Sequence, residues 1–266
     1  MTPNASRLLR RYGVDRAIGT NLVAFQALHM RRQDGQPVGY TSIPRIQAAL
    51  GEPWWLVHRH HLHSGLADVA RQHGVTLHTG ARVERLAHHD HRGGAARVTA
   101  STARGSAHAF DLVVGADGAH SAVRQTLFPS AAARPPSANA AFRAVVPYAL
   151  LEADDEPAVR AFAARRAMEV WMGARRYVIA YPIAAGRDCN LVLSHHGPGP
   201  ADAVEDVDVR EVRGRYADFD VVVVHILEKV RPGVQRWPLL VTGPLESWSS
   251  PEKVSAKRVV AKDSTC

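Results

Sequence analysis

The chain has 266 residues, 46% of them hydrophobic and 22% charged, with a formal net charge of +8 at pH 7. This composition excludes a disordered chain, and the longest apolar run is far too short to span a bilayer. The first thirty residues lack the apolar core of a signal peptide, and two cysteines give no disulfide framework, so we expect a cytoplasmic protein.

The first half of the chain alternates helical and strand-like patterns and carries one Gly-rich turn. Apolar spacing separates the helices from the strands, and Gly residues mark the ends of both. In chain order the sequence predicts a helix at 4–12 capped by Asn4, a hairpin at 21–43 turning at Asp34 and Gly35, a helix at 62–73, strands at 75–79, 81–87, 96–102 and 109–116, and a helix at 121–128.

The second half is dominated by strands. An Ala-, Pro- and Ser-rich stretch at 130–139 marks a change of composition, so we place a domain boundary there. The predicted elements are strands at 140–148, 168–172, 175–183 and 189–196, with helices at 155–166 and 209–230. The fold class is therefore α+β or α/β. We expect a mixed domain at 1–130, a mainly antiparallel sheet domain at 131–240 and a divergent tail at 241–266.

The stretch DLVVGADGAHSAVR, residues 111–124, ends an apolar run in a tight turn before a helix. Gly115 and Gly118 allow close backbone approach and unusual backbone angles. Ser121 or a neighbour can cap the helix and leave N–H groups facing the turn, which suits a phosphate. Asp117 would then hold a ribose hydroxyl, a backbone N–H or an arginine. The alternative is a simple strand-to-helix turn with Asp117 as a local cap.

The same stretch resembles the Asp-Gly signature of flavin-dependent aromatic-ring monooxygenases. Other segments resemble that family in the same order, from about Thr2 to Val254, and are closest to its salicylate-hydroxylase-like members. They are TPNASRLLRRYGV, WWLVHRHHLHSGLADVA, GVTLHTGARVERL, YVIAYPI and RWPLLVTGPLESWSSPEKV.

The resemblance implies FAD as cofactor, NADH or NADPH as reductant, and hydroxylation of a small aromatic substrate. It also implies roles for individual residues. Arg59 and Val83 match positions at the dinucleotide. Asp117, Gly118 and Arg124 match a motif associated with both the flavin and the reduced nicotinamide. Arg143 matches an active-site arginine, with Tyr181 or Tyr177 as its aromatic companion, and we expect Arg143 and Tyr181 to be the catalytic pair.

Two motifs that the family uses to hold the flavin do not occur. There is no Gly-x-Gly-x-x-Gly, and SAKRVVAKDSTC stands where the second flavin motif is expected. We therefore expect an incomplete FAD-binding domain that lacks the first βαβ unit, in a chain truncated at both ends. A catalytically inactive remnant that acts as a binding or interaction protein is the alternative.

Two further classes of site are disfavoured. His58 with His61, and His89 with His91, have spacings that could chelate a metal, but no carboxylate or cysteine cluster joins them, so we expect no metal site. The arginines are dispersed and not interleaved with aromatic residues, so we expect no nucleic-acid partner and no membrane partner.

Overall fold

A computed structural model describes residues 1–88, 98–129, 136–197, 204–240, 245 and 247–249. The chain forms two compact units. The sheet unit comprises Met1–Thr76 and Pro136–Leu239, and the turn unit comprises Leu77–Pro135 and Leu240–Cys266. The domain boundaries that the sequence predicts near residues 130 and 240 remain predictions. In the described part of the chain no helix is long and apolar enough to cross a membrane.

The sheet unit contains most of the regular structure. Its helices are α1 (Pro3–Arg11), α2 (Val14–Ile18), α3 (Ile43–Leu50), α4 (Arg59–Gln72), α6 (Tyr148–Glu152), α7 (Pro157–Arg165), α8 (Val209–Arg215) and α9 (Val221–Glu228). Its strands are β1 (Val23–Ala24), β2 (Ala27–Arg32), β3 (Pro37–Ser42), β4 (Trp55–Leu56), β8 (Pro136–Pro147), β9 (Met168–Gly173), β10 (Arg176–Ile183), β11 (Asp188–His196), β12 (Glu205–Val207) and β13 (Val234–Leu240).

Eight of these strands form one mixed sheet in the order β12-β13-β8-β11-β10-β9-β2-β3. The hairpin β2–β3 is the one predicted at Asp34 and Gly35, and Gly35 has a φ of +88°. β2 pairs with β9 in parallel. An ion pair spans this junction, in which the Arg31 Nε donates to the Glu169 Oε2 at 2.7 Å and the Glu169 side chain is fully buried.

One face of this sheet packs on α6 to α9 and forms the main core. Alternate residues of β10 and β11 are buried there, among them Val178, Ala180, Leu191 and Leu193. Period-2 burial of this kind explains why the strand predictions for this region are confirmed. The remaining, alternate residues of the same strands point to the opposite face of the sheet.

The single helix predicted at 209–230 is wrong. The segment forms α8 and α9, which are separated at Tyr216–Asp220. Asp220 begins the second helix, because its side chain accepts from the Val222 N–H. Its Oδ2 also accepts from the Trp171 Nε1 at 2.7 Å. A cap that is bound to a core tryptophan stabilises a break that helix periodicity alone does not reveal.

The turn unit has a three-stranded antiparallel sheet of β5 (Val83–His88), β6 (Val98–Thr102) and β7 (Ala107–Phe110), followed by α5 (Ala122–Leu127). The strand predicted at 75–79 is wrong, since those residues have no regular structure. The strand predicted at 109–116 ends at Phe110, apart from one bridge residue at Gly115. Within the described residues, the apolar residues after Phe110 therefore form no strand, and only Gly115 makes a bridge.

Candidate functional site

The Gly-rich turn has the backbone features that its glycines predict. Gly118 has a φ of +74°, a conformation that residues with a side chain rarely adopt. A Cβ atom on Gly115 would lie 2.7 Å from the Cβ of Val123, so the chain before the turn passes directly against α5. Both positions need glycine for steric reasons.

Asp117 binds the start of α5. The Ser121 hydroxyl donates to the Asp117 Oδ1 at 2.5 Å, and the Ala122 and Val123 N–H groups donate to the Oδ2 at 2.7 and 3.2 Å. Ser121 is the N-cap, as predicted, and its Oγ accepts from the Arg124 N–H at 2.9 Å. The N–H groups expected to face a phosphate are therefore already bonded. The local-cap interpretation of Asp117 describes its contacts.

The ionisation of Asp117 follows from these contacts. Partial burial raises the pKa of its carboxyl, but the hydrogen bonds from Ser121 and from the Val123 and Ala122 N–H groups outweigh burial and lower the pKa below its usual value. Arg124 is buried, and its Nη2 donates to the Ala119 carbonyl at 2.7 Å. The guanidinium thus contributes to closing the turn.

Val83 begins β5 and packs, half-buried, on the small core of the turn unit. The register with β6 shifts between Val83 and Arg85. The bulge leaves Glu84 outside the ladder, while the Arg82 carbonyl beside Val83 accepts from the Ala103 N–H at 2.9 Å. Four of the predicted cofactor-binding residues lie in the turn unit, namely Val83, Asp117, Gly118 and Arg124.

Arg59 belongs to the sheet unit and is the exposed first residue of α4. The His58 Nδ1 caps this helix by accepting from the His60 N–H at 3.2 Å. The Arg59 guanidinium has no hydrogen-bond or ion-pair partner among the described residues. A free guanidinium at the positive end of a fourteen-residue helix suits a phosphate.

The second group of predicted residues lies on the face of the eight-stranded sheet opposite the core helices, which we call the open face. In β8, β11 and β10, the residues Arg143, Val192 and Ile179 lie in one row of the sheet. The adjacent row is Val145, Asn190 and Tyr181. Arg143 and Tyr181 thus lie on the same face of the sheet. The strand β11 lies between their strands, and their rows are adjacent.

The end of the open face around Tyr181 is aromatic and apolar. Tyr181 packs on Phe25, Ile43 and Leu56, and Trp54 contacts Phe25 edge to face with ring centroids 5.9 Å apart. Burial raises the pKa of Tyr181, and the charge of Arg143 partly offsets this rise. The Arg143 side chain is exposed and has no hydrogen-bond or ion-pair partner among the described residues. The structure thus places an exposed cation beside an apolar aromatic surface.

Tyr177, the other candidate companion of Arg143, lies in the row beyond it. It lines a cavity of about 390 Å³ at the β9–β10 hairpin, together with Met172, Arg175 and His196. Tyr177 is 38% exposed, whereas Tyr181 is packed into an aromatic cluster. The packing therefore favours Tyr181 as the residue that shapes a ring-binding surface.

Asn190 is a residue of this face that the sequence motifs do not identify. It lies directly opposite Tyr181 in the sheet, and its Nδ2 is buried with no hydrogen-bond partner among the described residues. The sequence signal is a single amide between Cys189 and Leu191, which both point into the core. A polar residue at an outward position of an otherwise apolar strand is common, so this signal is weak.

Two other candidate sites involve charged or metal-binding side chains. A cavity of about 760 Å³ is lined by Arg7, Arg10, Arg11 and Arg16, with Asp15 and Glu52. Within the described ranges, no three His, Cys, Asp or Glu side chains are grouped as metal ligands. The rings of His58 and His61 have centroids 5.7 Å apart. His89 and His91 lie outside the described residues.

Comparison with known proteins supports the sequence resemblance. The model of the family described as FAD dependent oxidoreductase matches residues 6–224. The FAD-dependent monooxygenase OpS4 of Beauveria bassiana is 30% identical over 94% of this chain and 57% of its own length. The 3-hydroxybenzoate 6-hydroxylase of Polaromonas naphthalenivorans is 26% identical over 93% of this chain and 59% of its own length. The chain therefore spans somewhat more than half the length of these relatives.

Solved structures show the same fold. A salicylate hydroxylase substrate complex superposes with a TM-score of 0.72 at 19% identity, covering 94% of this chain and 62% of that one. CtdE in complex with FAD and a substrate superposes with a TM-score of 0.80 at 17% identity, covering 94% and 61%. These likenesses confirm the predicted fold class.

Proposed function

The chain belongs to the FAD-dependent oxidoreductase family, and from this premise we propose that it is a flavin-dependent monooxygenase that hydroxylates a small aromatic acid with NADH or NADPH as reductant. Several relatives are named as hydroxylases or monooxygenases of hydroxybenzoates or aminohydroxybenzoates. Bound FAD would supply the redox and oxygen chemistry. The chain's own residues would bind the substrate, orient its ring and exclude water.

The observation that carries this proposal is the exposed Arg143 guanidinium, which lies on the open face beside Tyr181 and has no hydrogen-bond or ion-pair partner among the described residues. An aromatic acid has one anionic and one apolar part. Its carboxylate would pair with Arg143, which can bind both oxygens in a planar geometry. Its ring would pack against Tyr181 and the neighbouring apolar residues. Substrate sites in general combine an apolar lining with a few oriented polar groups, as here.

In the sheet unit, Arg59 is the residue proposed to contact the dinucleotide. Arg59 fits a phosphate oxygen, because its guanidinium is exposed, lacks a partner among the described residues and lies at a helix N-terminus. By the family resemblance, the backbone at Val83 would lie beside the adenine. Asp117 would act mainly by shaping the turn, since both of its carboxylate oxygens are already bonded.

The test is flavin retention. The purified chain is mixed with excess FAD and desalted, and its visible spectrum is recorded. We expect a retained flavin band. Arg59→Ala should weaken FAD binding by about tenfold or more, because a charge-assisted hydrogen bond contributes about 1.5–3 kcal/mol. Arg45→Ala is the matched control, since it removes an exposed arginine of α3 that also has no partner among the described residues.

A protein that is colourless after incubation with excess FAD and desalting would contradict the proposal for this chain. Equal weakening by Arg59→Ala and Arg45→Ala would show that FAD responds to overall charge and would remove Arg59 from the site. With flavin retained, oxidation of NADH or NADPH stimulated by a hydroxybenzoate is the next measurement.

A further inference from the structure

Asn190 has a polar group that no other described residue satisfies. Its Nδ2 is buried and has no hydrogen-bond acceptor among the described residues. Leaving a buried donor unbonded costs about 1–3 kcal/mol. On the two neighbouring strands, Asn190 pairs with Val145 and Tyr181. An aliphatic residue at this position would stabilise the strand more than asparagine does. The cost points to an acceptor that binds at this place.

The position of Asn190 limits what that acceptor is. Cys189 and Leu191 point into the main core, so Asn190 points to the open face, where Tyr181 packs on Phe25 and Leu56. Arg143 pairs with Val192, two residues along β11 from Asn190. Diagonal neighbours on adjacent strands lie about 7–8 Å apart. One substituted benzene ring can therefore reach both side chains.

We propose that Asn190 positions the substrate by donating a hydrogen bond from its Nδ2 to an oxygen substituent on the aromatic ring whose carboxylate pairs with Arg143. The substrate class is then a hydroxybenzoate rather than an unsubstituted aromatic acid. The inference rests on the proposed function, and it adds a second recognition point at a defined distance from the first. Arg143 selects the acid, and Asn190 selects the ring oxygen and thereby the orientation of the ring.

The test compares two probes that differ by that oxygen. Binding of benzoate and of 3-hydroxybenzoate is measured by isothermal titration calorimetry for the wild-type chain, Asn190→Ala, Asn190→Ser and Arg143→Ala. We expect the wild type to bind 3-hydroxybenzoate about tenfold more tightly than benzoate, as a hydrogen bond to an otherwise orphaned donor allows. Asn190→Ala should abolish this preference and change benzoate binding less than about twofold.

The remaining variants separate positioning from folding. Asn190→Ser retains a donor and should restore part of the preference. Arg143→Ala should weaken both probes. Asn21→Ala, which removes a half-buried asparagine outside β8, β10 and β11, should leave both affinities unchanged.

Three results would overturn the inference, and they can be told apart. If Asn190→Ala leaves the preference intact, or weakens both probes equally, the role of Asn190 is wrong while the proposed function stands. If the wild type binds neither probe, the proposed substrate class is wrong, and the assignment of Asn190 is wrong with it.

Discussion

The sheet unit and the turn unit are stabilised in different ways. Among the described residues, the main core of the sheet unit contains 23 buried apolar side chains, including Trp171, Phe142 and Tyr216. The core formed by the described residues of the turn unit contains five, of which Val98 is fully buried. Within the described part of the chain, the buried apolar area, and with it the hydrophobic stabilisation, is therefore much larger in the sheet unit.

This difference corresponds to the roles proposed for the units, which are substrate binding on the open face of the sheet unit and the shaping of the Gly-rich turn in the turn unit. The open face is the reverse side of strands anchored by a deep core, so Arg143, Asn190 and Tyr181 are fixed by the sheet register. The turn around Asp117 depends on hydrogen bonds and on one close contact between Gly115 and Val123. The proposed substrate surface should consequently tolerate local changes that disrupt the turn. Mutations should destabilise the two units through different mechanisms.

The largest effect is expected in the sheet unit, from Trp171→Ala. The side chain of Trp171 is fully buried, its ring lies 5.8 Å from that of Phe162, and its Nε1 bonds Asp220, which caps α9. Removing the ring leaves a large cavity, so the free energy of unfolding should fall by about 3–5 kcal/mol in urea unfolding followed by circular dichroism.

Trp171→Phe separates packing from hydrogen bonding. It keeps most of the ring and loses the bond to Asp220, so we expect a smaller cost, about 1–3 kcal/mol. A loss of less than about 1 kcal/mol for Trp171→Ala would show that the core of the sheet unit collapses around the cavity, and the contrast between the two units would fail.

The next effect is a steric one in the turn unit, from Gly115→Ala. The added Cβ would lie 2.7 Å from the Val123 Cβ and Cγ1, so the backbone must shift against α5. We expect a loss of about 1–3 kcal/mol in the free energy of unfolding, which is typical of overpacking.

Gly214→Ala is the matched control in the sheet unit. Gly214 lies in α8, and a Cβ there meets nothing within 4 Å. The substitution should stabilise the protein by about 0.5–1 kcal/mol, because alanine favours a helix over glycine. The same sign for both substitutions would contradict the account of Gly115 as a steric requirement.

The sequence predicts most of the elements, because their signals are local. The Asp34-Gly35 hairpin, α4 and the strands from β8 to β11 follow from turn residues and burial periodicity. The break between α8 and α9 is missed because it depends on Trp171, about 50 residues earlier in the chain, which bonds the capping Asp220. The parallel pairing of β2 with β9 is likewise a long-range contact with no local pattern.

The sequence predicts only those candidate site residues that belong to a family motif. Arg59, Val83 and Arg143 come from the family resemblance, and their contacts with a cofactor or substrate stay predictions. Asn190 belongs to no motif. It becomes a candidate only when the register places it beside Tyr181 and its Nδ2 is found buried with no acceptor among the described residues. A residue whose role depends on a missing partner cannot be recognised from local sequence.

The smallest effect, and the most specific to the turn unit, is expected from Asp117→Ala. Asp117 accepts from the Ala122 and Val123 N–H groups, so its loss should cost about 0.5–2 kcal/mol at pH 7, as for other helix caps. Because the folded-state pKa of Asp117 is lowered, its contribution is fully present above the unfolded-state value of about 4 and is lost as the pH falls through the folded-state value. The difference in unfolding free energy between wild type and Asp117→Ala, measured by urea unfolding from pH 7 down to pH 3, should shrink toward the acidic end. A difference that is independent of pH would mean that the carboxylate charge does not stabilise the turn, and the turn would then depend on Gly115 and Ser121 alone.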